Sequence, residues 1–217
     1  MQEPSGCFSR CASLTNVILS DSVERIDDGS MGVNGDGTFS KCTSLTSFHF
    51  GIGLKYIGDY AFFTDRNLHD TNIVDISQNI EHIGQQAFEG VNLDVNTGNP
   101  KLPAYDVTFG KMKTLSKMAL AHSGLFSKIT FANTCELSII SDMCFTYSMG
   151  LKGIALNDKI IRIDDSTGGL ADSSFGAFCC PNLQTLTGYW NKITYIGSHA
   201  FRYAGAYNTN KWILGDI

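Results

Sequence analysis

The sequence predicts a β-rich α/β solenoid, and three observations carry that prediction. One phrase recurs as Ile57-Gly58-Asp59-Tyr60-Ala61-Phe62, as Ile83-Gly84-Gln85-Gln86-Ala87-Phe88 and as Ile196-Gly197-Ser198-His199-Ala200-Phe201. Weaker copies run over Leu115–Leu120 and Ile140–Phe145. Second, the phrase's last residue anchors a series along the whole chain: Phe8, Phe39, Phe62, Phe88, Leu120, Phe145, Phe178 and Phe201. The steps from Phe39 to Phe62 and from Phe178 to Phe201 are both 23 residues, so ~23 residues make the basic unit and longer steps carry insertions. Third, a short stretch alternating apolar and polar residues follows most anchors. A unit too small to bury its own apolar face must stack on its neighbours.

Each unit reads in the same order. Five or six residues past the anchor stands Leu14, Leu45, Leu68, Leu93, Leu125, Leu151 or Leu183, and a compact turn or helical piece joins the two. The alternating stretch comes next: Val17-Ile18-Leu19, Phe48-His49-Phe50, Val74-Asp75-Ile76, Ile129-Thr130-Phe131 and Ile154-Ala155-Leu156. A period of two marks a strand with one buried face. A further apolar residue follows (Val23, Leu54, Ile80, Cys135 or Ile160), and in the cleanest copies Ile26, Ile57, Ile83 or Ile163 stands three positions on. A second short extended segment therefore lies on the opposite wall. Equivalent strands pair in parallel about 4.8 Å apart, so about eight units stack to roughly 40 Å.

Leu14-x-x-Val17-x-Leu19, Leu45-x-x-Phe48-x-Phe50 and Leu151-x-x-Ile154-x-Leu156 match the opening of a leucine-rich repeat. The Asn or Cys that usually follows is replaced by the Ile-Gly-x-x-Ala-Phe phrase. Together with Phe8-Ser-Arg-Cys11-Ala-Ser-Leu14 and Phe39-Ser-Lys-Cys42-Thr-Ser-Leu45, the pattern resembles the BspA-like (treponemal-type) leucine-rich repeat, from Cys7 to about Phe201. The resemblance implies a leucine-rich-repeat solenoid, with a parallel sheet on one face and short strands and helical turns on the other. It also implies a bacterial or protozoan surface protein that adheres to host matrix or to other microbes. Fold alone does not fix function.

Composition agrees with one solenoid domain over residues 1–217. The chain is 43% hydrophobic with 14 Phe, which the anchor slot accounts for, and only 17% charged. The net charge of −5 comes without a Lys/Arg run, which argues against a nucleic-acid partner, since that needs a basic stripe. No apolar run approaches the ~20 residues of a membrane span. The chain opens and closes inside repeat-like phrases, at Cys7-Phe8 and Lys211-Trp212-Ile213-Leu214, without polar caps. It therefore reads as a piece of a longer protein, and the lack of an N-terminal signal segment says nothing about export.

The seven cysteines follow the repeat register. Cys7 and Cys144 take the Ala slot of the phrase, Cys11 and Cys42 share a slot with Ser123 and Ser148, and Cys135 aligns with Val23 and Ile80. They read as small core side chains, with a Cys11–Cys42 bridge between neighbouring units conceivable; no metal site or cofactor is expected. His49, His69, His82, His122 and His199 fall at different phases of the unit, and no nucleophile–base pair, phosphate loop or dinucleotide fingerprint is present. The chain reads as no enzyme.

Three insertions stand out, near 27–38, 96–106 and 164–177. The first and third both follow an Arg-Ile pair, Arg25-Ile26 and Arg162-Ile163, so they leave the solenoid at one phase and emerge on one face. The first contains Asn34-x-Asp36-Gly37, a fragment of a calcium loop whose full ligand pattern is missing. On the sheet, the residues expected to face outward and meet a ligand are Asn16, Ile18, Ser47, His49, Asp75, Thr130, Lys152 and Ala155, with Thr187 beyond them. A mixed surface of this kind suits broad contact with a protein or matrix ligand, through the concave face or the insertion loops. The expected function is a non-catalytic interaction module, extracellular or on the cell surface; the alternative is a cytosolic scaffold or secreted effector.

Overall fold

The computed structural model describes residues 6–30, 36–165, 175–206 and the strand at 213–214. Long and short strands alternate along the chain. In order they are β1 Asn16–Ile18, β2 Arg25–Ile26, β3 Ser47–His49, β4 Tyr56–Ile57, β5 Asp70–Thr71, β6 His82–Ile83, β7 Tyr105–Phe109 and β8 Thr114–Leu115. There follow β9 Phe126–Phe131, β10 Ile139–Ile140, β11 Gly153–Leu156, β12 Arg162–Ile163, β13 Thr185–Gly188, β14 Tyr195–Ile196 and β15 Ile213–Leu214. Odd-numbered strands pair only with odd, and even only with even: β1-β3-β5 and β7-β9-β11-β13-β15 on one wall, β2-β4-β6-β8 and β10-β12-β14 on the other. Every pairing is parallel.

The core lies between these walls. The odd strands send in Phe48, Val107, Ile129, Ile154 and Leu186, and the even strands send in Ile57, Ile83, Leu115, Ile140 and Ile163, all buried. The anchors fill the third side. Phe8, Phe39, Phe62 and Phe88 stack with centroids 5.1, 5.7 and 5.3 Å apart, and Phe145, Phe178 and Phe201 with centroids 5.4 and 4.9 Å apart. Buried Leu120 bridges the two runs. Each fully buried ring contributes roughly 1.5–3 kcal/mol relative to an exposed one.

The anchor segments are turns with a repeating backbone. Around six of the eight anchors the residues two before and two after take positive φ, as in Tyr60 (57°) and Thr64 (62°) around Phe62, Met118 (56°) and His122 (51°) around Leu120, and Met143 (56°) and Tyr147 (52°) around Phe145. That alternation turns every second N–H towards the next unit. Tyr60, Phe62 and Thr64 donate to the carbonyls of Gln85, Ala87 and Glu89 at 2.8 Å each, while Ala61, Phe63 and Asp65 close turns onto Gly58, Tyr60 and Phe62. A helix would spend all of these donors within one unit; the turn wall instead ties each unit to its neighbour, satisfying backbone groups that packing would otherwise strand. The phrase's glycine belongs to the same packing. A Cβ on Gly58 would lie 2.5 Å from the Asp27 backbone, and one on Gly197 2.4 Å from that of Asp164.

The structure corrects the third unit. Val74-Asp75-Ile76 is not a strand but lies in a four-residue helix, α1 Ile73–Ile76. The strand is β5, in register with β3 through Ser47↔Asp70 and Phe48↔Thr71. Thr71 holds the inward slot that other units give to an apolar residue, which conceals the strand from an alternation test. β5 does not pair with β7. The Tyr105 hydroxyl takes the place of that ladder, accepting from Thr71 N at 3.3 Å and donating to His69 O at 2.8 Å. The middle insertion ends before 105, where β7 begins.

Candidate interaction surface

The open face of the odd-strand wall is built by register. Asn16, Ser47 and Asp70 lie side by side in one row, with Ile18 beside His49 in the next. Across β7 to β13 the rows are Asp106, Lys128, Gly153 and Thr185, then Thr108, Thr130, Ala155 and Thr187. Asn16, His49, Lys128, Thr185 and Thr187 are exposed, Ser47, Thr108, Thr130 and Ala155 half-buried, and Ile18 is 75% exposed. Lys152 is exposed just ahead of β11, at the rim. The structure thus places Asn16, Ile18, Ser47 and His49 together, and Thr130, Lys152 and Ala155 together. Asp75 is exposed but sits on α1, off both sheets.

Six face residues escaped the sequence reading: Asp70, Asp106, Thr108, Lys128, Gly153 and Thr185. The first followed from the misplaced strand; Asp106 and Thr108 fell at the boundary of the middle insertion, although Tyr105–Phe109 does alternate. Asp70, Asp106 and Lys128 among them supply the face's charges. His49 Nε2 is 3.8 Å from Asp70 Oδ2, and Ser127 Oγ donates to Asp106 Oδ1 at 2.5 Å. Lys128 and Thr185 flank the buried backbone of Gly153, and the next row over β9 to β13, Thr130, Ala155 and Thr187, is neutral, with hydroxyls and a methyl.

The even-strand wall carries a different column. The Arg25 guanidinium lies 3.5 Å over the Tyr56 ring, and Tyr56 stacks on His82 at 4.1 Å. Burial holds His82 below its ordinary pKa. The same device recurs near the C-terminus, with Arg162 4.2 Å over Tyr195. Both copies brace the root of an insertion. Arg25 Nε donates to Asp27 at 2.5 Å and Arg162 Nε to Asp164 at 2.6 Å; the Tyr56 hydroxyl donates to Asp28 at 2.9 Å and the Tyr195 hydroxyl to Asp165. The repeated Arg-Ile-Asp-Asp therefore clamps both loops at one phase. Beyond their roots, residues 31–35 and 166–174 lie outside the described residues, Asn34 of the calcium-loop fragment among them.

Five of the cysteines sit as core side chains, whereas Cys11 is half-buried and Cys7, expected in the core from its Ala slot, is exposed in the first unit, where no preceding unit is described to cover it. Cys11, Cys42, Cys135, Cys144, Cys179 and Cys180 are thiols, the last five buried, and Cys7 is exposed. Cys42 Sγ donates to Phe8 O at 3.1 Å and Cys180 Sγ to Phe145 O at 2.8 Å, each joining its unit to the preceding anchor. Burial pushes the Cys42 thiol up to about 12 and Cys144 and Cys180 well above their ordinary value. Among the described residues no group of three or more His, Cys, Asp or Glu is placed to hold a metal ion, and no helix is long and apolar enough to cross a membrane. Ser198 Oγ lies 3.3 Å from His199 Nδ1, a contact between chain neighbours on an exposed turn.

Stacked parallel strands, a phenylalanine spine and the recurring Ile-Gly-x-x-Ala-Phe phrase have a match among known families. The sequence matches the family described as BspA type leucine rich repeat region in 6 copies, over residues 3–97 and 110–210. The chain belongs to the BspA-type leucine-rich repeat family. No curated protein matches it. Among solved structures it is similar to the crystal structure of a leucine-rich repeat protein from Bacteroides ovatus, with 17% identity and a TM-score of 0.32 over 90% of this chain. The chain spans 60% of the length of that protein. Repeats of this family are typically non-catalytic and suggest protein interaction, which makes the two walls candidate contact surfaces.

Proposed function

We propose that this BspA-type repeat chain is a non-catalytic adhesion module, which binds a protein or matrix ligand at a cell surface through the open face of its odd-strand wall. The observation that carries the reading is the register itself. Thr108, Thr130, Ala155 and Thr187 form one continuous row, low enough for a partner backbone to approach, with Asp106 and Lys128 beside it as polar markers. Contact of this kind is spread over many weak interactions, which is what a stacked sheet offers.

The test is binding of the purified chain to an array of matrix proteins, mucins and intact cell surfaces. Saturable binding that falls at least tenfold in Thr130→Arg and Ala155→Arg supports the reading. A blank array with folded protein refutes the surface assignment. One observation favours a second reading, an intracellular scaffold: six cysteines are thiols, including Cys11 and Cys42 in one slot of adjacent units. Disulfides persist in oxidising compartments and are rare in reducing ones. Capture of a cytosolic partner through the same face, with a blank surface array, would decide for it.

A further inference from the structure

The sequence has no basic run and a net charge of −5, yet stacking gathers three cations into one pocket on the turn wall. The pocket, of about 290 Å³, lies between Lys41, Arg66 and Lys101, contributed by two successive units and the middle insertion. No Asp or Glu lines it. Elsewhere the units pair their charges across the stack, Lys55 with Glu24 and Lys113 with Glu81, both at 2.8 Å. Here Arg66 and Lys101 are not paired in that way. Among the described residues Arg66 has no carboxylate within 4.0 Å. Lys101 Nζ donates at 2.6 Å to the neutral Oδ1 of Asn67, whose own Nδ2 is fixed on Thr43 O at 2.7 Å. Lys41 is paired with Asp36 at 3.9 Å, on a carboxylate that Arg10 also holds at 3.2 Å. Burial and the nearby Arg10 hold Lys41 below its ordinary pKa. Like charges lining one concavity repel, and an anion between them relieves that repulsion.

The rest of the lining indicates which anion. Thr43, Thr64 and Asn67 present hydroxyl and amide groups around the cations. Val95 is the only apolar side chain, and it is 57% exposed, so nothing offers a pocket for a peptide's aromatic or aliphatic anchor. Cations beside neutral hydrogen-bonding groups match a hydroxyl-rich ligand that carries a sulfate or carboxylate. We propose that this pocket binds an acidic oligosaccharide, with Arg66 and Lys101 on its anionic group and Thr43 and Thr64 on neighbouring hydroxyls. It opens on the turn wall, so it does not depend on the odd-strand face.

The experiment is calorimetric titration of the whole chain with a size-defined sulfated hexasaccharide, its desulfated counterpart, a sialic acid oligomer and a phosphorylated peptide. Expected is saturable binding of an acidic sugar, weakening as salt rises, and at least tenfold weaker in Arg66→Gln/Lys101→Gln. Arg66→Lys retains most of it, and Thr130→Arg on the other wall leaves it unchanged. Binding of the sulfated sugar alone identifies sulfate as the group; binding of the sialic acid oligomer as well identifies a general anion. Arg66 and Lys101 are exposed, so the variants keep the wild-type circular dichroism; should the double variant unfold, Asn67→Asp, which puts a negative charge among the three cations, takes its place. The proposal is overturned if no acidic sugar binds, if binding survives loss of the two cations, or if the phosphopeptide binds more tightly through Arg66.

Discussion

At Gln86, substitution by glycine should leave the protein more stable than substitution by alanine, the reverse of the usual order in a regular element. Gln86 stands two residues before the anchor Phe88 with φ of 53°, and its N–H donates to Lys117 O in the next unit. Both substitutions remove the same side chain and its 2.7 Å bond to Glu89, so their difference isolates the backbone. A left-handed conformation costs a residue with a Cβ roughly 1–2 kcal/mol. Glycine escapes that cost but gives up roughly 0.5–1 kcal/mol of unfolded-chain freedom. The difference favours glycine by about 0.5–1 kcal/mol. Urea titrations at equal m-value measure it, and for a chain of this size each kcal/mol moves the melting midpoint by about 2–4 °C. Thr130, within β9, supplies the control, where glycine should fall below alanine by roughly 0.5–1 kcal/mol. If alanine equals or exceeds glycine at Gln86, the alternating-hand turn wall is wrong.

Three further outcomes follow from the same packing. Phe62→Ala removes a fully buried ring between Phe39 and Phe88 and should cost about 3–5 kcal/mol in chemical denaturation, whereas loss of the 48%-exposed Phe8 should cost clearly less. Gly58→Ala places a Cβ 2.5 Å from the Asp27 backbone and should cost about 1–3 kcal/mol by the same assay, with loss of cooperativity if neighbouring units separate. Asp65 is fully buried, accepts from Cys42 N at 2.8 Å, and burial raises its pKa well above the ordinary carboxylate range. Its folded pKa therefore exceeds the unfolded one, and the stability it allows at low pH is lost as pH rises through the folded value. Asp65→Asn keeps the acceptor without the titration, so its stability advantage over wild type should widen with rising pH in urea midpoints; a constant difference from pH 5 to pH 9 would refute the assignment.

How much the sequence disclosed depended on how each feature repeats. The spine was legible because Phe recurs in one slot, and the even strands because Ile-Gly marks them. β5 was not, since Thr71 replaces the apolar residue that an alternation test needs and Val74-Asp75-Ile76 imitates the pattern three residues later. Nor was the turn wall's backbone: Tyr60, Gln86, Met118, Met143 and His199 share positive φ without sharing any side-chain property. Inter-unit hydrogen bonding imposes that conformation, and among the described residues only Gly6, Gly90 and Gly205 in this wall show the residue that local preference would choose.

A solenoid also separates what the chain keeps apart in sequence from what it brings together in space. Lys41, Arg66 and Lys101 are spread over more than two units, and each alone reads as an ordinary solvated charge. Stacking about 4.8 Å apart makes equivalent positions neighbours, so a site is written down the columns of the repeat while the sequence is read along its rows. The conserved-looking slots of the row, anchor and Ile-Gly, maintain the stack. The slots free to differ between units, two and four residues past the anchor, supply Lys41 and Thr64, Thr43 and Arg66, and with them the pocket's chemistry. Specificity in such a chain therefore belongs to the positions where the repeat fails to repeat, and substitutions there should alter what binds while leaving the fold as stable as before.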